Sequence, residues 1–485
     1  MLFNSFEFIF VFLPITFIVY FLLNKNKLVF FSKAWILLAS LFFYGYWNIV
    51  YLPIIILSLL FNFYIGQLLS KEKISFLSKK QLLFLGITAN IALLGYFKYA
   101  DFFIDNYNLF FDSDVLNINI LLPLAISFFT FQQIAYLVDS YKQETREQDI
   151  ISYAVFVTFF PQLIAGPIVH HREMMPQFDS KKEKFIKHRN IILGLFIFSI
   201  GLFKKVVLAD TFSIWANAGF DINQSLSFFE AWATSLSYTF QLYFDFSGYA
   251  DMAIGSALLF NIKIPINFNS PYKAKNIQDF WRRWHMTLGR FLMDYIYIPL
   301  GGNRFGGFVT YRNILITFII AGIWHGAGWT FIFWGVLHGV ALILYKLWSI
   351  TNIRFWGWAS WFVTFNFINV SWVFFRAREW NDAIRIVRGM FSVDNVSIAS
   401  SLEKNLSFLA DFGVKFEGVF AYTSVKSDVY AWIVLGFVLV LLFKNSVEMT
   451  EKFKTNKIYL FLHMAIMYKA VTSINTVSEF LYFNF

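Results

Sequence analysis

From Ile314 to Tyr345 the sequence carries no Lys, Arg, Asp or Glu, and its only side chains that titrate near neutral pH are His325 and His338. An α-helix rises 1.5 Å per residue, so about 20 apolar residues cross the ~30 Å hydrocarbon core of a bilayer. The run is too long for one straight span and must bend, tilt or break. Gly322, Gly326 and Gly328 mark the weak point, because a residue without Cβ lets a second backbone or a substrate approach closely. His325 then sits beside the break, near mid-depth. A titratable side chain there costs roughly 2 kcal/mol or more, which makes His325 a functional candidate. The competing reading is a buried imidazole satisfied by a neighbouring carbonyl.

With 58% hydrophobic and 14% charged residues over 485 positions, the chain is expected to be an all-α polytopic membrane protein. The first apolar run, Phe8 to Leu23, has no basic residue before it and no small-residue cleavage site, so it reads as a retained helix. There is no cysteine, which excludes disulfides, thiolate nucleophiles and cysteine-ligated metals. The net charge of +10 resides in short loops between apolar segments. That placement marks topology and contacts with anionic membrane lipids rather than nucleic acid.

Apolar segments near 8–23, 34–48, 51–69, 82–97, 119–138, 151–168, 191–209, 225–244, 249–262, 313–347, 355–375, 428–443 and 457–471 suggest about 11 transmembrane helices plus re-entrant and interfacial helices. Lys25, Lys27 and Lys33, then Lys71, Lys73, Lys79 and Lys80, mark cytoplasmic loops, with Asp101, Asp105, Asp112 and Asp114 on the opposite side. The loops 142–149 and 170–190 both read as cytoplasmic although one apolar segment separates them. Phe160 to Pro167 (FPQLIAGP) explains this: two prolines and a glycine break the helix, and Ile151 to Ile168 is expected to be re-entrant.

The longest polar interval, Asn261 to Arg312, contains five arginines. Apolar positions between Asn276 and Tyr297 recur at helical spacing, predicting an interfacial helix whose arginines meet lipid phosphates or an anionic cofactor; plain anchoring is the alternative. Asp245 and Asp251 lie in a nominal membrane segment, so each needs a partner. Either they orient the site or they pair with Lys or Arg to hold the bundle, and Arg376 has the same two readings. No internal repeat or linker is visible, and 1–485 reads as one domain.

Soluble-enzyme signatures such as G-x-S-x-G, the P-loop and G-x-G-x-x-G are missing, and no histidine pair has zinc-ligand spacing. No metal is expected. Seven segments in order instead resemble the membrane-bound O-acyltransferase family, in its bacterial branch of alginate and peptidoglycan O-acetyltransferases and the teichoic-acid D-alanylation protein. They are Leu122–Tyr141 (LPLAISFFTFQQIAYLVDSY), Phe160–Pro167, Phe240–Asp251 (FQLYFDFSGYAD), Asn267–Leu288 (NFNSPYKAKNIQDFWRRWHMTL), Tyr297–Arg304 (YIPLGGNR), Ile323–Ala327 (IWHGA) and Trp372–Ala377 (WVFFRA).

The resemblance implies helices around a central funnel, with His325 in its W-H-G context as the essential residue and His285 in W-R-R-W-H as a supporting one. Moving an acyl group from a thioester to a hydroxyl needs a base near neutral pH, and imidazole has an unperturbed pKa of about 6.5. Histidine serves as base or as transient acyl carrier, and the base is favoured. Arg282, Arg283, Trp284, Trp324, Arg304, Asp245 and Asp251 complete the substrate and cofactor candidates. The end of the chain, 480–485 (FLYFNF), resembles an F-x-Y-x-x-F tail in which Tyr482 would accept and relay the acyl group; an aromatic membrane-interface anchor is the alternative.

The expected activity is transfer of an acyl group, acetyl from acetyl-CoA, across the bacterial inner membrane to a periplasmic acyltransferase partner that modifies an envelope polysaccharide. Peptidoglycan ranks ahead of alginate or another exopolysaccharide, and D-alanyl transfer follows. No permanently bound cofactor is expected. A transporter of polymer or lipid precursors and a membrane scaffold are the readings from other classes.

Overall fold

The computed structural model describes the chain apart from residues 72–76, 148, 165, 223–224, 352, 393–394, 399, 401–402, 417–427, 452, 454–456, 475–479 and 482–485. The regular secondary structure of the described residues is helical, with a single bridge between Ser397 and Lys415 as their one β contact. Among the described residues, six helices are long and apolar enough to cross a membrane: Glu7–Lys25, Ile49–Ser70, Lys79–Phe111, His188–Ile222, Gly306–His325 and Trp329–Ile350. Val29–Gly45, Val429–Leu442 and Leu460–Thr472 are shorter apolar helices. The chain is thus an all-α, multi-pass membrane protein.

Contacts group into two compact units. One comprises Met1–Phe203, Gly248–Asn267 and Thr450–Phe485, and the other Lys204–Ser247 and Phe268–Met449. The apolar segments 225–244 and 249–262, read from sequence as separate, form a single helix, Phe228–Leu259. No proline interrupts it, and the carboxylate of Asp245 meets a buried ammonium, so the polar residues do not end the helix. Its first part lies in the second unit and its last turns in the first.

The first unit resolves the charge pattern around residue 150. Ile150–Thr158 is a helix of nine residues and Phe160–Leu163 one of four, too short to cross a bilayer, and both are buried. The loops on either side of this broken segment touch. Arg172 pairs with Glu144, His171 Nε2 lies 3.1 Å from Glu147, and its Nδ1 lies 2.7 Å from Thr145 Oγ1. Lys33, from the first basic loop, reaches Asp179 at 2.6 Å. The residues flanking the broken segment thus lie together, and Lys33 of the first basic loop reaches them.

Polar and small residues tie helices together in this unit, as expected where lipid offers no hydrophobic drive for helix association. Asn62 and Asn90 exchange amide hydrogen bonds of 3.1 and 2.6 Å. A Cβ on Gly194 would stand 2.8 Å from the Gly255 carbonyl oxygen, and one on Gly255 would stand 2.6 Å from that of Gly194.

In the second unit the uncharged run becomes a helical hairpin. Gly306–His325 ends at the histidine, Gly326 and Gly328 are extended, and Trp329 starts the return helix. The two backbones nearly touch: a Cβ on Gly322 would meet Phe331 O at 2.4 Å, and one on Gly335 would meet Phe318 O at 2.4 Å. Backbone contact of this kind requires glycine on both helices. Gly326 faces the Phe331 ring, whose nearest atom would lie 2.2 Å from an added Cβ.

Candidate functional site

His325 is the last residue of its helix and is 3% exposed. The break after it leaves the imidazole among aromatic rings. Their centroids lie 4.8 Å away for Trp324, 5.2 Å for Trp334 and 5.0 Å for Phe375. Trp334 stacks on Trp372 at 5.7 Å, and Trp372 packs 5.0 Å from Trp284. Trp284, Trp334 and Trp372 are among the largest fully buried side chains. A low-dielectric cage of this kind strengthens any charge interaction made inside it.

His285 is fully buried and reaches the same Trp324 ring, at a centroid distance of 6.1 Å. Phe246 stands edge-on to it at 4.8 Å. The structure therefore brings the two predicted histidines onto one indole. The backbone at this point departs from the expected continuous interfacial helix over Asn276–Tyr297. Ile277–Trp281, capped by the Asn276 side chain, stops; His285 adopts φ 44° and ψ 53°; and Met286–Leu292 begins a new helix. Apolar periodicity cannot reveal this break, because the residues on both sides keep helical spacing.

A left-handed backbone costs a non-glycine residue about 1–3 kcal/mol. Here Asn269 and Arg283 hold it: Asn269 N–H donates to Arg283 O at 2.9 Å, and Arg283 donates to Asn269 O at 3.3 Å and to Asp279 at 2.8 Å. Arg283 thus fixes the turn that presents His285. Burial pushes the His285 imidazole down to about 3, so it stays neutral at physiological pH.

The remaining candidates separate. Trp284 and Trp324 are cage walls. Asp245 lies 2.6 Å from Lys205, which also reaches Asp210 at 3.0 Å, so this carboxylate takes the bundle-pairing role. Asp251 is buried in the other unit. Arg376 pairs with Asp221 at 2.6 Å and lies over the Phe220 ring, again a pairing role. Arg304 is exposed in the turn before the hairpin, and Arg282 lines a pocket with Arg290 and Lys346. Tyr482 falls outside the described residues; just before it, Phe480 stacks on Tyr249 at 4.7 Å, and Tyr249 on Phe3 at 4.7 Å, within the first unit.

Sequence reasoning noted His338 but assigned it no role. Its Nδ1 accepts a 3.2 Å hydrogen bond from the Trp281 indole N–H, and its Nε2 lies 3.0 Å from Ser371 Oγ, whose hydroxyl donates to Ile368 O at 2.8 Å. An indole can only donate, so the imidazole proton sits on Nε2. Trp334, 4.7 Å from His338, is the same ring that walls His325. His338 thereby fixes Trp281 and packs against Trp334, a wall of the cage. Asn369 does similar work nearby: its oxygen accepts from Thr239 at 2.7 Å and its amide donates to Ser235 at 3.0 Å.

The model of the membrane-bound O-acyltransferase family matches residues 47–378. The chain is 48% identical to the peptidoglycan O-acetyltransferase of Helicobacter pylori over all of this chain and 98% of that protein. It is 38% identical to a "Probable alginate O-acetylase" of Pseudomonas putida, over 81% of this chain and 80% of that one. A teichoic acid D-alanyltransferase of Streptococcus thermophilus is 28% identical over 46% of this chain and 57% of its own length.

Proposed function

Because this chain belongs to the membrane-bound O-acyltransferase family, we propose that it moves acetyl groups onto hydroxyls of a cell-envelope polysaccharide, with peptidoglycan as the polymer. The full-length likeness to a peptidoglycan O-acetyltransferase carries the choice of polymer. The alginate O-acetylase relatives, alike over about four fifths of the chain, favour an exopolysaccharide as the second reading.

The donor in this proposal is acetyl-CoA, taken from the cytoplasmic side of the bacterial inner membrane. His325 removes the proton of the attacking hydroxyl as its oxygen forms a bond to the acetyl carbonyl carbon. The C–S bond then breaks, and the leaving thiolate takes up a proton to depart as free CoA. The attacking group is the Tyr482 phenol if the tail acts as a shuttle, and the acetyl group passes from it to a periplasmic transferase. His285, neutral and held by a strained turn, positions the thioester. What supports these roles is the meeting of His325 and His285 on Trp324, inside a buried aromatic cage.

The test is purified protein with radiolabelled acetyl-CoA, scoring CoA release and retained label in wild type, His325→Ala and Tyr482→Phe. Loss of turnover in a well-folded His325→Ala supports the base; full turnover in it sinks that role. Label retained by wild type and lost in Tyr482→Phe supports the shuttle. In cells, deletion should remove base-labile acetyl groups from peptidoglycan, and unchanged peptidoglycan would transfer the assignment to another polymer.

A further inference from the structure

His338 is the second titratable side chain of the uncharged run, and the acyl-transfer chemistry leaves it unused. It is fully buried in the return helix Trp329–Ile350, and both of its ring nitrogens are engaged. The Trp281 indole N–H donates to Nδ1 at 3.2 Å, Nε2–H donates to Ser371 Oγ at 3.0 Å, and the Ser371 hydroxyl donates onward to Ile368 O at 2.8 Å. An imidazole held at both nitrogens in this way has no lone pair to offer a substrate hydroxyl. The base role therefore falls to His325 alone, and His338 has a different task.

The three elements that His338 joins all lead into the cage. Ile277–Trp281 runs into the turn that presents His285, where Arg282 N–H donates to Gln278 O at 3.2 Å and Trp284 N–H to Phe280 O at 2.9 Å. The Trp281 indole and His285 thus belong to one hydrogen-bonded turn. The return helix carries Trp334, and Gly357–Arg376 carries Ser371 together with Trp372 and Phe375. Trp334 and Phe375 wall His325 at 5.2 and 5.0 Å. The other ring contacts of Trp281, with Phe318 at 5.1 Å and Trp334 at 5.8 Å, are apolar and tolerate sliding. A hydrogen bond is short and directional, so it fixes the indole in rotation and in depth. An apolar side chain at 338 would avoid the cost of a polar group at membrane depth; what the imidazole adds is a set distance between helices.

We propose that His338 is a positioning residue for acyl transfer: as the neutral Nε2–H tautomer it ties the turn carrying His285 to the helices whose rings wall His325, and so sets the separation of the two histidines. The proposal rests on the acyl-transfer reading.

The experiment measures CoA release over a range of acetyl-CoA concentrations for wild type, His338→Asn, His338→Gln, Trp281→Phe and the double variant Trp281→Phe/His338→Gln. Asparagine places an acceptor near the position of Nδ1 and keeps a partner for Trp281. Glutamine reaches the position of Nε2, keeps a donor for Ser371 and leaves the Trp281 N–H unpaired. Misplacing a reacting group by 1 Å costs on the order of a hundredfold in rate, so a partial shift in His338→Gln should lower kcat by roughly tenfold or more, with KM little changed. His338→Asn should keep most of the wild-type kcat. Trp281→Phe should match His338→Gln, and the double variant should lose no more than either single one, because both break the same link. Histidine ¹⁵N NMR of the wild type should show a pyridine-type Nδ1 and a pyrrole-type Nε2 for His338, and it serves if the glutamine variant is not monodisperse. Wild-type kcat in His338→Gln, equal losses in the two His338 variants, a loss confined to KM, additive losses in the double variant or a proton on Nδ1 would each overturn the proposal. A wild type that releases no CoA from acyl thioesters would overturn the acyl-transfer reading itself, and this proposal with it.

Discussion

Replacing Gly335 by alanine tests whether the hairpin's backbone contact holds the site together. The new methyl would stand 2.4 Å from the Phe318 carbonyl oxygen and 3.1 Å from its carbon. The first distance is about 1 Å inside an ordinary contact of 3.4 Å. The obstacle is backbone, so no rotamer change relieves it and the helices must part. Overpacking of this kind costs about 1–3 kcal/mol. The displacement matters more than the energy, because His325 ends the helix that moves, and a 1 Å error in placing a reacting group costs on the order of a hundredfold in rate. Gly95→Ala is the control: nothing lies within 4 Å of its added Cβ, and alanine favours a helix interior by about 1 kcal/mol. Thermal unfolding in detergent and CoA release from acetyl-CoA should show Gly335→Ala less stable and strongly slowed, with Gly95→Ala unimpaired. Wild-type stability and turnover in Gly335→Ala would refute the argument that the glycine contact sets the position of His325.

Lys205→Met leaves the carboxylate of Asp245, 1% exposed, without its closest cation, and should destabilise the protein by about 3–5 kcal/mol; the double variant Lys205→Met/Asp245→Asn should recover most of this in the same unfolding assay, and a double variant as unstable as the single would disprove the pairing role. His285 has a folded-state pKa of about 3, below the ordinary 6.5, so the unfolded chain binds the extra proton first as pH falls. Its contribution is complete above about pH 6.5 and declines below it by up to about 1.4 kcal/mol per pH unit. The stability of His285→Gln should therefore depend less on pH between 4 and 6 than that of wild type, and identical slopes would show that the imidazole is not held neutral.

Much of this fold is legible in the residues alone, because a bilayer narrows the choices. Long apolar runs there form helices, and where glycine and proline cluster within them a break is favoured. The stop at Gly326, the broken segment at Phe160–Pro167 and the candidacy of His325 follow from that restriction. The His285 turn was hidden, since a left-handed residue held by Asn269 and Arg283 leaves no mark on hydrophobic spacing. Asp245 had two readings because a carboxylate in an apolar segment announces a need for a partner without naming it. The fold supplied Lys205, 40 residues earlier in the chain. The convergence of His285 and His325 on Trp324, and the fixing of His338 by Trp281 and Ser371, depend on contacts between residues distant in sequence. Local pattern records which groups must be buried or broken; which of them meet is decided when helices pack, because only the packed backbone sets the distances between side chains.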